Sequence, residues 1–375
     1  MDEQEIRDRI LRAKGLKDII SLVDEMGIED MGNQYRSMSV SQWYAYVNLG
    51  RYSKYNIFEI PKKTGGTRLI SSPKSPSYLQ ALKYINKILL CFYKAPSCTN
   101  GFVPGKSIVS NALPHRGKKY VLNVDIQDFF SSISDELIVE TLIEEYNFTF
   151  KIAKIITSFC CLNRYAEKIG LIGSCLPQGA PTSPTISNIV CLNLDRDLET
   201  LAKKNGLIYS RYADDITFSS NKHFWNKGFI KKLFKSIKGH HFTINLKKVR
   251  YQKKDIERQE VTGLVLSGEK VNVPRSYVRE IRNLLYIWEK YGINAAQKSQ
   301  QLFSVTHARR NTHADISNVI DGKLNYLKMV KGDNDAVYVK LKARYERLIN
   351  PQLTKSHAPF FEKVKTIMNF IFVHS

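Results

Sequence analysis

The six cysteines, Cys91, Cys98, Cys160, Cys161, Cys175 and Cys191, form no CxxC pair and have no histidines at zinc spacing beside them. A structural zinc site is therefore not expected, and the thiols read as reduced and buried. No stretch approaches the ~18 consecutive apolar residues of a membrane span. The opening MDEQEIRDRI is acidic and polar where a signal peptide is basic and then apolar. Both absences point to a cytoplasmic protein with no membrane partner. Acidic residues are in short supply, 35 Asp and Glu against 57 Lys and Arg, which leaves a formal net charge of +22. Such a surplus attracts a polyanion, and nucleic acid is the first partner it implies. The chain has 375 residues, 43% of them hydrophobic. At roughly 150 residues per domain, that is enough for two or three packed units.

The pattern along the chain is mixed. Ile10, Leu11, Leu16, Ile19, Ile20, Leu22 and Val23 recur at helical spacing and make the first fifty residues a helical preface. NIFEIPKKTGGTRLISSP, residues 56–73, alternates around Gly65 and Gly66, which supply the positive φ angles of a tight turn; it reads as a basic-tipped β-hairpin. Residues 77–95 return to a helical period. YVLNVDIQDFF, 120–130, reads as a strand with Asp125 near its end. Helices are expected at about 135–163 and 183–204, the second after the loop LPQGAPTSP. LIYSRYADDITFS then forms a strand pair around Ala-Asp-Asp. Residues 221–254 hold eleven Lys and Arg and no Asp or Glu. VTGLVLSGEKVNVP is strand-like, and past Pro274 a separate helical unit begins. The order of carboxylate strand, helices and carboxylate hairpin predicts an α+β fold.

Asp214 and Asp215 lie in a turn between two apolar strands, which by itself is common turn chemistry. Asp125, ending another apolar strand, changes the reading: if the strands are neighbours, three carboxylates converge on one spot. Hard oxygen ligands without histidine suit Mg²⁺, and two ions about 3.5–4 Å apart would serve an in-line displacement on phosphorus. The hairpin residues Lys62, Lys63, Gly65, Gly66 and Arg68 could hold a triphosphate, or could be a solvated charged turn. Gln178 and Gly179 sit in a Pro-flanked loop where a backbone could approach closely, or where a helix starts with Ser183 as its cap. GFVPGKS, 101–107, is not a P-loop, because three residues separate Gly101 and Gly105 where four are needed. Asn147-Phe148-Thr149 is a sequon, idle in a chain that is not exported. A metal or acid/base role for His240 or His241 is not expected.

Taken in order, IPKKTGGTRLI, VDIQDFF, LPQGAPTSP, YADD and the basic segment resemble the fingers and palm motifs of reverse transcriptases. Asn111-Ala112-Leu113-Pro114-His115 is similar to the NAxxH element of the retron type, and Val261-Thr262-Gly263 to its VTG element. The resemblance spans roughly residues 30–350. It implies a right-hand polymerase with fingers and palm, an antiparallel palm sheet packed on helices, and a helical thumb. The expected divisions are an N-terminal helical extension (1–55), fingers and palm (56–272), thumb (273–350) and a C-terminal helical tail (351–375).

The same resemblance implies residue roles. Asp125, Asp214 and Asp215 would ligate two Mg²⁺ ions, with the Ile126 carbonyl as a further ligand. Arg68 with Lys62 or Lys63 would hold the triphosphate, Gln178 would line the nucleotide pocket, and Tyr212 would pack near the primer end. Phe130 would be the aromatic gate against a ribose 2′-hydroxyl. Asn111, His115, Val261, Thr262, Gly263, Lys247, Lys248 and Arg250 would contact RNA or support the structure. The implied partners are dNTPs, a dedicated structured noncoding RNA as template and primer, its msDNA product, host RNase H, and a separate effector protein in antiphage defence. A group II intron or diversity-generating reverse transcriptase, or a non-catalytic RNA-binding scaffold, is the alternative.

Overall fold

The computed structural model describes residues 1–49, 54–62, 65–162, 174–306 and 314–350. Lys63 of the hairpin tip and the C-terminal tail, 351–375, lie outside the described residues. The chain divides into two compact units, the first Met1–Thr262 and the second beginning at Gly263.

In the first unit, helices α1 (Glu3–Arg12), α2 (Leu16–Met31) and α3 (Val40–Tyr44) precede the hairpin β1 (Tyr55–Pro61) and β2 (Thr67–Pro73). The strands pair antiparallel with Ile60 opposite Arg68. Gly65 and Gly66 carry φ of 87° and 75°, the left-handed backbone that glycine adopts without a Cβ penalty. Helix α4 (Pro76–Phe92) starts on an N-cap, Ser75, and α1 and α2 pack against it. Ile6, Ile10, Leu22, Leu82, Ile85 and Phe159 belong to one buried cluster, so the N-terminal helices share the core of the fingers and palm.

After α5 (Ile108–Ala112) comes β3 (Tyr120–Asp125). The helix expected over 135–163 is two, α6 (Asp135–Tyr146) and α7 (Phe150–Cys160). Asn147, left-handed at φ 56°, ends the first, and Thr149 caps the second. The sequon residues thus form a helix break, the junction that Asn and Thr favour. The segment 183–204 likewise divides into α8 (Ser183–Val190) and α9 (Leu192–Lys204) at Cys191. Thr182, not Ser183, is the residue before α8, and the Ser183 hydroxyl donates to the Pro177 carbonyl at 2.5 Å.

Strands β4 (Ile208–Tyr212) and β5 (Asp215–Ser220), helix α10 (Lys227–Gly239) and β6 (Arg250–Lys253) complete a four-stranded antiparallel sheet in the order β4-β5-β3-β6. Strand alternation gives this sheet two faces. Leu122, Val124, Tyr209, Ile216 and Phe218 face helices; the Phe218 ring lies 5.6 Å from that of Phe229 on α10. The other face carries Asn123, Asp125, Asp215, Thr217, Ser219 and Ser210. The short β7 (Glu260–Val261) ends the first unit.

The second unit holds the hairpin β8 (Leu264–Ser267) and β9 (Lys270–Asn272), then α11 (Arg275–Tyr291), α12 (Ile293–Thr306), α13 (Ile316–Lys331) and α14 (Ala336–Ile349). Its start falls earlier than 273 because the hairpin belongs with the helices, β9 packing on α13. Ile281, Leu284, Leu285, Ile320, Leu324 and Leu327 form its buried interior. The hydropathy spacing of α11 and α13 requires that arrangement. Among the described residues no helix is long and apolar enough to cross a membrane.

Candidate active site

β3 is buried along its length and sits between β5 and β6, so its residue pairing is fixed on both sides. Its register places Asp125 opposite Asp215. On the other flank of β5, Tyr212 pairs with Asp215 and closes a two-residue loop, Ala213-Asp214. Ala213 is left-handed, φ 56°, a conformation that a residue with a Cβ rarely adopts. The amide of Ile126 donates to the Asp214 carbonyl at 3.1 Å, tying the end of β3 to the loop. Asp125 thus shares one end of the sheet with two carboxylates about ninety positions further along the chain.

Their charge is incompletely balanced. Burial, then the neighbouring Asp214 and Asp125, pushes the Asp215 carboxyl up to about 7. Asp214 is raised by burial and by Asp125. Lys248 supplies a cation: its Nζ donates to Asp125 Oδ1 at 2.8 Å, and Asn245 Nδ2 lies 3.4 Å from Oδ2. The lysine reaches the acid from the solvent side, its side chain 57% exposed against 9% for the aspartate. Among the described residues no group of three or more His, Cys, Asp or Glu is gathered to hold a metal ion in this geometry. Asp125 is engaged by Lys248 instead. The donor set nevertheless fits a divalent cation, because three hard carboxylates stand together and the nearby Lys248, Arg68 and Arg250 do not offset the burial and mutual repulsion that raise Asp214 and Asp215.

The other predicted site residues are placed as follows. Arg68 is exposed on β2, and its charge lowers the carboxyl of Asp214, which puts the hairpin within electrostatic reach of the acids. Lys62 is exposed at the turn, its amide donating to the Gly66 carbonyl at 2.9 Å. The Gln178 carbonyl accepts from the Ser71 amide at 2.8 Å, so the loop before α8 is stitched to β2. Gly179 explains the closeness: a Cβ there would stand 2.9 Å from the Ser71 carbonyl oxygen, and its φ is 120°. Phe130 is half-buried with its ring 6.2 Å from Phe102 and 5.4 Å from Phe129. Tyr212 packs against the core beside Asp215.

The motif residues offered as RNA contacts divide. Asn111, His115 and Val261 are fully buried, which corrects the RNA-contact reading for them and leaves the structural one. His115 lies between two strands, Nδ1 2.7 Å from Ser219 Oγ and Nε2 2.8 Å from Ser210 Oγ, and burial holds its pKa down to about 3. Asn111 Nδ2 reaches Thr262 Oγ1 at 3.5 Å, so the two motifs touch. Thr262 is left-handed at φ 46° and Gly263 at 78°. Lys247 and Arg250 are exposed, with Arg250 3.8 Å from Glu260. Lys106 of the rejected P-loop donates to the carbonyls of Pro96, Ser97 and Thr99 at 3.0, 3.0 and 2.7 Å, a structural clamp.

One group went unnoticed in the sequence. Behind the Ala213-Asp214 loop, on the helix-covered face, Arg211 and Asp195 form a buried pair, with Nη2 2.6 Å from Oδ2 and Nε 2.7 Å from Oδ1. Arginine three residues before the first of the paired aspartates is the one sequence signal, and nothing in it names Asp195 as partner.

A palm sheet with acids at the end of its central strands, beside a basic two-stranded hairpin, is the architecture of a template-directed nucleic-acid polymerase. The family model described as Reverse transcriptase (RNA-dependent DNA polymerase) matches residues 60–266. The chain is 31% identical to the Retron Mx162 reverse transcriptase of Myxococcus xanthus over 75% of this chain and 61% of that one. It is 33% identical to the Retron Ec86 reverse transcriptase of Escherichia coli, over 61% of this chain and 68% of that one. It is also 33% identical to the Retron Ec83 reverse transcriptase of Escherichia coli, over 62% and 75%. The chain belongs to the reverse transcriptases, RNA-directed DNA polymerases of α+β right-hand fold, and within them to the retron type.

Proposed function

We propose that this chain is a working retron polymerase that copies a dedicated structured noncoding RNA into msDNA, using two Mg²⁺ ions. The observation that carries the reading is the register of Asp125 with Asp215, beside a loop that adds Asp214. A protein meant only to hold phosphates has no use for three acids at one spot, which would repel them.

Asp125, Asp214 and Asp215 would hold the ions, and Lys248 would release Asp125 to them. Bound there, the ions supply a lowered pKa to the attacking hydroxyl and neutralise charge at the leaving pyrophosphate. The hydroxyl oxygen bonds to the α-phosphorus as the bond to pyrophosphate breaks. Arg68 with Lys62 or Lys63 holds the β- and γ-phosphates, where a planar guanidinium makes paired hydrogen bonds. Phe130 fills the space a 2′-hydroxyl would need, and selects dNTPs over NTPs.

Retron membership supports the finer reading: priming from a guanosine 2′-hydroxyl, a branched RNA–DNA product trimmed by host RNase H, and an antiphage role with a separate effector in the cytoplasm. The second unit serves as the thumb. The five exposed lysines of α10, Lys227, Lys231, Lys232, Lys235 and Lys238, lie beyond the face opposite the carboxylates and hold RNA outside the catalytic cleft. Two experiments test the reading. Changing Asp214 and Asp215 to Ala abolishes dNTP incorporation while RNA binding persists; retained synthesis sinks the assignment. Sequencing of copurified nucleic acid finds RNA covalently joined to DNA, and its absence removes the retron-specific chemistry.

A further inference from the structure

The Ala213-Asp214 loop is held from behind. Arg211 donates from Nη1 to the Ala213 carbonyl at 3.1 Å and to Asn188 Oδ1 at 3.1 Å, while Nε and Nη2 grip Asp195. Asp195 receives two more donors, the Tyr209 hydroxyl at 2.6 Å and the Thr99 hydroxyl at 2.8 Å. Asn188 in turn donates from Nδ2 to the Gly101 carbonyl at 2.9 Å. Gly101 lies against the same loop: a Cβ on it would stand 2.4 Å from the Ala213 amide nitrogen. Arg211, Asp195 and Asn188 are all fully buried.

The left-handed backbone of Ala213 needs support that its own side chain does not give. A guanidinium on its carbonyl and the Gly101 backbone against its amide fix that residue from both sides. Asn188 joins them, touching Arg211 with one end and Gly101 with the other. A planar fork saturated in this way has one geometry, whereas a lysine ammonium at the same place has many. The aspartate after Ala213 inherits that geometry.

We propose that Arg211, Asp195 and Asn188 are positioning residues for the carboxylate loop, setting where Asp214 and Asp215 stand through the Ala213 carbonyl and the Gly101 backbone. The proposal rests on the polymerase reading for its kinetic arm only. A displacement of reacting groups by about 1 Å costs on the order of 100-fold in rate.

Four proteins decide it: wild type, Arg211→Lys, Asn188→Ala, and Tyr209→Phe, which removes a donor to Asp195 without touching the loop. Single-turnover dNTP incorporation on a primed RNA template gives burst amplitude and rate constant separately. Mn²⁺ binding to the protein alone, followed by electron paramagnetic resonance, gives a readout independent of synthesis. The expected result for Arg211→Lys and Asn188→Ala is an unchanged burst amplitude and dNTP affinity, a rate constant lower by roughly 10- to 100-fold, and weakened Mn²⁺ binding. Tyr209→Phe keeps the wild-type rate and Mn²⁺ affinity. A purely structural network predicts the reverse: a smaller burst from fewer folded molecules, each polymerising at the wild-type rate and binding Mn²⁺ normally. That result overturns the proposal, and Asn188→Ala, which leaves the ion pair intact, still decides it if Arg211→Lys does not fold. Should wild type itself make no DNA, the polymerase reading fails, and the Mn²⁺ comparison remains decisive for positioning.

Discussion

At one end of the palm sheet Asp125, Asp214 and Asp215 press like charges together, and burial with that repulsion raises Asp215 to about 7. Further along the same polar face His115 sits between Ser210 and Ser219 as a neutral ring with both nitrogens hydrogen-bonded, its pKa lowered to about 3. Both clusters are buried and polar, yet one has its hydrogen bonds satisfied and the other keeps unbalanced charge. On the proposed function, the difference separates polar residues that hold the sheet together from polar residues kept for a metal ligand. Satisfied networks stabilise and specify; an uncompensated one costs stability and is retained for chemistry.

The sharpest way to break the comparison is to exchange the effects of the two clusters. Asp215→Asn removes a charge that the metal-free fold disfavours, so its melting temperature in EDTA rises by a few degrees. Its incorporation rate falls on the order of 1,000-fold or more. A variant that loses stability along with activity would place Asp215 among the structural groups. His115→Ala does the opposite. It takes the ring partner from the Ser219 hydroxyl, leaves Ser210 only its contact with the Asn111 carbonyl, and opens a cavity, which together cost about 2–4 kcal/mol. The molecules that remain folded polymerise at the wild-type rate, as burst kinetics measure; a lowered rate constant would give His115 a share in the chemistry.

Acid and base titrations then sharpen it, because the two clusters carry opposite signs. Asp215 has a folded pKa above its ordinary 3.8, so its contribution to stability is complete below that value and is lost as pH rises through about 7. His115 has a folded pKa below its ordinary 6.5, so its contribution is present above 6.5 and is lost as pH falls through about 3. Thermal melts in EDTA across this range show a stability maximum that shifts to higher pH in Asp215→Asn. A profile unchanged by that substitution would mean that the carboxyl titrates at its ordinary value.

Much of this was readable beforehand where local chemistry and pattern agreed. Gly65 and Gly66 announce the hairpin, and the β-branched run before Asp125 announces a strand; both take their places in the sheets. The helix break at Asn147 was also written locally, as an Asn C-cap followed by a Thr N-cap, but the apolar periodicity on both sides masks it. What sequence cannot show is a partnership formed by packing alone. Asp195 on α9 gives no sign that it faces Arg211 on β4, and Lys248 reads as one more cation in a basic run until the register of β3 sets Asp125 beside it. Asn111 and His115 carry polar side chains, which in a chain of net charge +22 read equally as RNA contacts; only burial tells them apart.

The smallest expected effect concerns that basic run, which the fold divides between the two faces of the sheet. Lys248 and Arg250 fall on the side of the acids, whereas the α10 lysines project beyond the helices that cover the other side. Among the described residues no ion pair involves Lys231, Lys235 or Lys238, which recur at i, i+4 and i+7 on one exposed face. Removing one lysine from a phosphate flattens the plot of log affinity against log salt by roughly 0.7–0.9. Changing these three lysines to Gln therefore lowers the slope for a long structured RNA by about 2, and leaves synthesis on a short primed template, confined to the cleft, at the wild-type rate. An unaltered slope would return α10 to bulk solvent. A slope lowered equally for the short template would mean that both ends of the run grip the same stretch of nucleic acid, and that the division between the faces does not separate holding from copying.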